Sequence, residues 1–159
     1  ADGLYWLASA DKSHAHDLFI TPHSGEAANL LDVDVPAIEA DRLKAGSQLA
    51  QRYACNVVVK GPGSIVVTPE GTQICAHGGP AMATAGMGDV LSGICAGLLA
   101  PVYASGDQGK VCEQFSQAVA LHSASADLAA QLLGPRSVIA TDVMAKIPSV
   151  LSGKTQPDD

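Results

Sequence analysis

The stretch best equipped for chemistry is Gly78-Gly79-Pro80-Ala81-Met82-Ala83-Thr84-Ala85-Gly86-Met87-Gly88-Asp89. Nearly all its side chains are small, so its backbone can come close to a ligand. Apolar Val90, Leu91, Ile94 and Leu98 follow at helical spacing and predict a helix over 89–99. A helix start presents amide hydrogens without partners and the positive end of the helix dipole. A glycine-rich bend feeding such a start can hold a phosphate or another oxyanion. The bend lacks the ending of a Walker loop and the glycine spacing of the dinucleotide fingerprint. Asp89, where bend becomes helix, has two readings. It can cap the helix, or it can take a proton from a substrate hydroxyl while neighbouring amides hold the phosphoryl group that the hydroxyl attacks. One carboxylate oxygen can serve each purpose, so both readings stand.

His23 and Lys60 are the other candidates. His23 lies in the turn Thr21-Pro22-His23-Ser24-Gly25-Glu26, directly after the short apolar run 18–20. A lone histidine is commonly structural, but the ends of strands in open α/β sheets face the ligand crevice. Glu26 reads as a residue that holds this turn by hydrogen bonding. Lys60 ends the run Asn56-Val57-Val58-Val59 and opens the turn Gly61-Pro62-Gly63-Ser64. Taken alone it reads as a solvated charge. His14, His16 and His77 read as surface or loop residues, and His122 is given no role.

The elements that must position these residues follow from local pattern. A short apolar helix covers 4–10, closed by a polar run at 11–17, and a buried strand covers 18–20. Pro22 forbids helix before it, and Ser24 is the expected N-cap of the next helix. One helix is expected over 38–53, with Ile38, Leu43, Leu49 and Ala50 as its apolar face and Asp41, Arg42 and Lys44 as its wet one. The β-branched run at 56–60 predicts a strand buried on both faces. Residues 64–68 and 72–76 read as a hairpin around Pro69-Glu70-Gly71. Further helices are expected over 111–133 and 141–150, the last capped by Thr141 or Asp142. Gly93 and Gly97 would admit a second backbone close to the helix at 89–99. Strands alternating with helices give an α/β domain with strands covered on both faces.

Composition bounds the function. The 159 residues are 47% hydrophobic and 16% charged, enough to fill a core. Sixteen acidic residues against nine basic ones leave a net charge of −7, which argues against nucleic acid as a partner. No uninterrupted apolar run approaches about 18 residues, so no membrane span is expected, and no signal-peptide pattern is visible. Cys55, Cys75, Cys95 and Cys112 form no CxxC, and no histidine stands at ligand spacing from any of them. Reduced thiols in a cytoplasmic protein are expected, with no protein-held metal centre.

Gly86-Met87-Gly88-Asp89-Val90-Leu91-Ser92-Gly93 resembles the signature of the ribokinase-like superfamily in its NAD(P)H-hydrate dehydratase branch. The resemblance extends through Thr21-Pro22-His23-Ser24-Gly25-Glu26-Ala27 and Val59-Lys60-Gly61-Pro62-Gly63-Ser64. It includes Asp2-Gly3-Leu4-Tyr5-Trp6-Leu7-Ala8, similar to the family's Asp-Ala-Leu-Asn-x-Leu-Ala element, and Ala140-Thr141-Asp142-Val143 near the end. The Gly-Met-Gly-Asp element is shared with related small-molecule kinases. The Thr-Pro-His-x-Gly-Glu element singles out the dehydratases.

The resemblance implies a three-layer α/β/α domain with a mostly parallel central sheet, here as its C-terminal portion over 1–153 with a frayed tail at 154–159. It implies repair of hydrated NADH or NADPH: ADP or ATP phosphorylates the ring hydroxyl, and phosphate then leaves. Asp89 would be the base and touch the substrate. Gly86, Met87 and Gly88 would form the anion hole, with Gly88 also touching the nucleotide. Lys60, Gly61, Pro62, Gly63 and Ser64 would bind the adenine nucleotide, and His23 the hydrated dinucleotide. Mg²⁺ would accompany the phosphates with few direct protein ligands. A homo-oligomer and an accompanying hydrate epimerase domain are also implied. A related vitamin-precursor or sugar kinase and a non-catalytic nucleotide-binding fragment are the alternatives.

Two departures from the family pattern carry expectations. Gly79, Ala81 and Ala85 replace the more usual Asn, Gly and Gly, and Ala85 would distort the anion loop if its position requires a left-handed backbone. The chain opens on Ala1-Asp2-Gly3-Leu4, without the strands and substrate contacts that family members carry before this point.

Overall fold

The computed structural model describes residues 2–9 and 17–153. The expectations for His14, His16, the polar run from Asp11 and the tail from Lys154 lie outside the described residues. The chain divides into two compact units, Ala1–Ile74 and Cys75–Asp159.

The first unit carries α1 (Asp2–Ser9), β1 (Phe19–Ile20), α2 (Ser24–Leu31), α3 (Val35–Ala40), α4 (Arg42–Tyr53), β2 (Asn56–Val59), β3 (Ile65–Thr68) and β4 (Gly71–Ile74). The sheet order is β1-β2-β3-β4. Only β1 and β2 run parallel, joined through α2–α4; β2–β3 and β3–β4 are antiparallel. The described sheet therefore departs from the mostly parallel expectation. The turns 60–64 and 69–70 are too short for a crossover and enforce antiparallel neighbours. Val57, Val58 and Val59 are fully buried, each worth about 1.5–3 kcal/mol of apolar burial. Val57, Val59, Ile65 and Val67 join Leu30, Ile38, Leu49 and Tyr53 in the core of this unit.

The helix expected over 38–53 is two helices. Asp41 breaks it, because its carboxylate accepts the Lys44 amide at 2.9 Å and so caps α4. Leu43, expected on the apolar face, is exposed; Ala45, Gly46, Leu49 and Tyr53 form that face instead. The N-cap of α2 is His23 rather than Ser24. Ser24 is the first helical residue, and its hydroxyl donates to Glu39 on α3.

The second unit carries a 3-10 turn at Pro80–Met82, α5 (Met87–Ser105), α6 (Val111–Leu133) and α7 (Ala140–Leu151), with α6 packed against both α5 and α7. α6 has the bounds expected for it. α5 begins two residues earlier than expected and runs six residues beyond Leu99, through Pro101. Met87 extends it at the front, because its side chain is buried among Ala81, Ala126, Ala129, Val138 and Val143. At α7 the residues expected as caps lie inside the helix; Asp142 accepts the Ile139 amide at 2.9 Å from the third helical position. Among the described residues nothing lies within 4 Å of a side chain built on Gly93 or Gly97, so the expected close approach of a second backbone is not seen there. α5 alone among the described helices is long and apolar enough to cross a membrane by length and composition. It buries Met87, Leu91, Ile94, Cys95, Leu99 and Val102 and carries Asp89 in its first turn.

Candidate active site

In the first unit the parallel pairing of β1 with β2 sets Phe19 beside Asn56 and Ile20 beside Val57. The chain segments leaving both strands therefore emerge side by side, and the Lys60 amide donates to the Pro22 carbonyl at 2.8 Å. This is how two stretches nearly forty residues apart come together at the carboxyl ends of parallel strands, where open α/β sheets hold ligands.

His23 Nδ1 accepts the amides of Gly25 (3.0 Å) and Glu26 (3.2 Å). An accepting Nδ1 places the proton of the neutral ring on Nε2, and that nitrogen is 3.6 Å from Glu26 Oε2. Glu26 returns the cap by accepting the His23 amide at 2.7 Å, so the pair forms a capping box. The same Oε2 is 3.5 Å from Lys60 Nζ, with only 6% of the Glu26 side chain exposed. Burial pushes the Glu26 carboxyl up, but hydrogen bonding, including that from the His23 amide, and the nearby charge of Lys60 outweigh it and hold the group below the usual carboxylate range. The structure thus brings His23, Glu26 and Lys60 into one cluster. Lys60 is ion-paired and only partly exposed rather than simply solvated.

The turn after Lys60 is held by a residue that the sequence pattern hides. Arg42, the first residue of α4, donates from Nη1 to the Pro62 carbonyl (2.7 Å) and from Nη2 to the carbonyls of Val59 (3.1 Å) and Gly63 (3.3 Å). Gly61 has φ 153°, and a Cβ there would lie 2.7 Å from the guanidinium carbon. Ser64 Oγ stands 3.5 Å from the Gly61 carbonyl oxygen. A cation at a helix start is disfavoured by the dipole. That was the available signal for Arg42, and it became readable only once the break at Asp41 was known.

In the second unit the glycine-rich loop is pinned at its start by Asp127 of α6. Its Oδ2 accepts the Gly78 amide at 2.9 Å and lies 3.7 Å from Nδ1 of the exposed His77. The loop ends at Gly86, the N-cap of α5, in the left-handed region at φ 85° and ψ −11°. A Cβ on Gly86 would stand 3.0 Å from the Cβ of Ala140, which opens α7. Ala85 is not among the non-glycine residues with positive φ, so the left-handed position falls one residue later and the loop suffers no distortion on its account.

The Gly86 carbonyl accepts the amides of Asp89 (3.1 Å) and Val90 (3.0 Å), while those of Met87 and Gly88 meet no acceptor among the described residues. Asp89 is the third residue of α5 and exposed. It is not the cap, and its carboxylate has no partner among the described residues. Gly86, Met87, Gly88 and Asp89 thus form one helix-start turn in which amides without acceptors among the described residues stand beside an exposed carboxylate.

Burial of Cys55 and Cys95 pushes their thiols up to about 12 and about 11, as inert structural cysteines require. Cys75 and Cys112 are half-buried free thiols.

The sequence profile of the Carb_kinase family, described as NAD(P)H-hydrate dehydratase, matches residues 1–149. The chain belongs to the NAD(P)H-hydrate dehydratase family. It is 41% identical over 152 residues to the bifunctional NAD(P)H-hydrate repair enzyme Nnr of Vibrio cholerae, covering 96% of this chain and 29% of that one. To the Escherichia coli enzyme of the same name it is 40% identical over 157 residues, covering 96% and 28%. The chain therefore spans less than a third of the length of these relatives. Among solved structures it resembles the ADP/ATP-dependent NAD(P)H-hydrate dehydratase of Bacillus subtilis co-crystallised with ATP/Mg²⁺, with TM-score 0.74, 23% identity, and coverage of 87% of this chain and 48% of that one. A ribokinase-like superfamily protein of Enterococcus faecalis gives TM-score 0.76 at 23% identity, covering 99% and 52%. The fold is ribokinase-like α/β.

Proposed function

We propose that the chain carries out ADP- or ATP-dependent dehydration of hydrated NADH and NADPH, as a nicotinamide-cofactor repair enzyme. The observation that carries this reading is the turn at the start of α5. Among the described residues an exposed carboxylate without a partner, Asp89, directly follows two amides without acceptors, those of Met87 and Gly88. A phosphoryl-transfer site needs this combination: a base for the attacking hydroxyl and fixed donors for charge on the phosphoryl oxygens.

In the proposed reaction Asp89 takes the proton of the ring hydroxyl. The freed oxygen attacks the terminal phosphorus of the nucleotide. A new O–P bond forms, the bond to the bridging oxygen breaks, and ATP leaves as ADP, or ADP as AMP. The ring carbon–oxygen bond then breaks, phosphate carries off the electron pair, and loss of a ring proton restores the double bond. Hydroxide is a poor leaving group and phosphate a good one, which is what the nucleotide contributes. Gly86, Met87 and Gly88 supply the anion hole, with Gly88 also at the nucleotide. Lys60, Gly61, Pro62, Gly63 and Ser64 hold the adenine nucleotide, and His23 touches the hydrated dinucleotide.

Among the described residues no three of His, Cys, Asp and Glu converge as a metal site. A Mg²⁺ would arrive on the nucleotide, held chiefly by phosphate oxygens and water. Bound there, it would neutralise phosphate charge. We further propose that residues 1–153 serve one dehydratase domain in the cytoplasm, that the protein assembles as a homo-oligomer, and that a hydrate epimerase acts with it. The bifunctional names of the relatives support that last pairing.

The test is absorbance at 340 nm with hydrated NADH plus ADP or ATP, alongside phosphate release. Reduced cofactor and phosphate should appear together, and Asp89→Asn should slow turnover by about a hundred-fold or more while nucleotide affinity stays within a few-fold. A stable phosphorylated product would instead mark a kinase. Unchanged turnover in Asp89→Asn would remove the assigned base.

A further inference from the structure

We propose that Arg42 is the positioning residue of the nucleotide step: its guanidinium sets the shape of the Lys60–Ser64 turn without itself meeting the nucleotide. The inference rests on the reading of that turn as the nucleotide-binding element. Three carbonyls, those of Val59, Pro62 and Gly63, converge on the two terminal nitrogens of Arg42 at 2.7 to 3.3 Å. Its Nε is buried and has no hydrogen-bond partner among the described residues, so the group is engaged with the turn and closed to solvent on its stem side. With the turn's carbonyls gathered on one cation, the amides of Gly61, Gly63 and Ser64 are left with no acceptor among the described residues. Pro62 has no N–H, so only the Gly63 and Ser64 amides are consecutive; consecutive amides without acceptors are donors of the kind that bind an anion.

Gly61 is part of the same device. Its φ of 153° and the 2.7 Å gap between a built Cβ and the guanidinium mean that only glycine lets the arginine lie flat on the turn. A lysine in place of Arg42 brings a single ammonium, which cannot span three carbonyls as a planar fork does.

The inference is tested by calorimetric titration of the full chain with Mg²⁺–ADP, together with the KM values for nucleotide and for hydrated NADH. Arg42→Ala should weaken nucleotide binding by about ten-fold, because the turn must then be ordered at binding. The KM for the hydrate and kcat should stay within about two-fold. Arg42→Lys should resemble Arg42→Ala rather than the unaltered chain, and millimolar methylguanidinium should restore affinity to Arg42→Ala alone. Should Arg42→Ala fail to fold, Arg42→Lys carries the same expectation. Unchanged ADP affinity in Arg42→Lys, or equal losses for ADP and for the hydrate, overturns the inference. An unaltered chain that binds ADP but produces no reduced cofactor overturns the dehydratase reading and leaves the Arg42 comparison standing on affinity. An unaltered chain that binds no nucleotide overturns both.

Discussion

Replacing Gly86 by alanine separates the geometry of the phosphate loop from its chemistry, because no functional group is removed. Gly86 sits at φ 85° and ψ −11°. Holding an alanine in the left-handed region costs about 1–2 kcal/mol. The added methyl also lands 3.0 Å from the Ala140 Cβ, inside the roughly 3.5–4.0 Å at which carbon atoms normally rest. Ala140 is the first residue of α7, so relief requires a helix to shift, and overpacking of this kind costs about 1–3 kcal/mol. Together the two effects come to about 2–5 kcal/mol, a large part of the roughly 5–15 kcal/mol that stabilises a native domain. For a chain of this size each kcal/mol lowers the melting temperature by about 2–4 °C. Thermal unfolding followed by circular dichroism should therefore show a fall of about 4–20 °C. Adding Ala140→Gly to Gly86→Ala removes the collision but not the backbone strain, so it should recover part of the loss. Ala85→Gly is the control and should bring no gain in stability, since Ala85 carries no left-handed strain. A Gly86→Ala chain melting within a degree of the unaltered one would refute this account of the loop, as would a stabilising Ala85→Gly.

Two further outcomes can be checked on the His23 cluster. His23→Ala should lose about 1 kcal/mol of stability with the α2 cap, whereas His23→Asn, which can still cap, should keep most of it. If His23 also meets the hydrated dinucleotide, both variants should weaken hydrate binding more than ADP binding, and equal losses for both ligands would leave it a purely structural residue. Because the Glu26 carboxyl is held below its ordinary pKa in the fold, its contribution to stability is present above the ordinary value and is lost as pH falls through the lower folded one. Urea unfolding of the unaltered chain should therefore steepen in its pH dependence below about pH 4.3 relative to Glu26→Gln; parallel curves would show that Glu26 is not the group responsible.

The pattern of apolar residues made the long elements legible. The helix expected over 111–133 is α6, and the valine run became β2, because many residues vote for each. Boundaries failed where one residue decided them. Asp41 looked like part of a wet helix face, yet as a cap it ends one helix and starts another. Ser24 is a better cap by type than His23, but the partner that completes a capping box lies three residues after the cap, and Glu26 stands at that spacing from His23. The concern over Ala85 was a register error of one residue: the loop needs a left-handed backbone at Gly86, where glycine is present.

The motif residues and the residues that hold them in place are of different kinds, and the first kind is the more visible in a sequence. Gly61, Gly63, Gly78 and Gly86 announce themselves because their positive φ angles favour glycine. What fixes each loop is a charged side chain: Arg42 gathers the carbonyls of one turn, Asp127 takes the first amide of the glycine-rich loop, and Glu26, in α2 itself, takes the amide of its N-cap His23. Arg42 and Asp127 look like ordinary helix-surface charge until the fold is known, whereas Glu26 already reads in the sequence as the residue that holds its turn. Their work is also of one sort. Each satisfies backbone groups of its loop, while other amides, at Met87 and Gly88 in one unit and at Gly61, Gly63 and Ser64 in the other, have no acceptor among the described residues; on the proposed function those are the donors that must stand ready for phosphate. Donors held ready in this way need no reorganisation when charge develops, which is the condition under which hydrogen bonds contribute most to phosphoryl transfer. Substitutions at Arg42, Asp127 or Glu26 should therefore cost function through the shape of a loop they never enter.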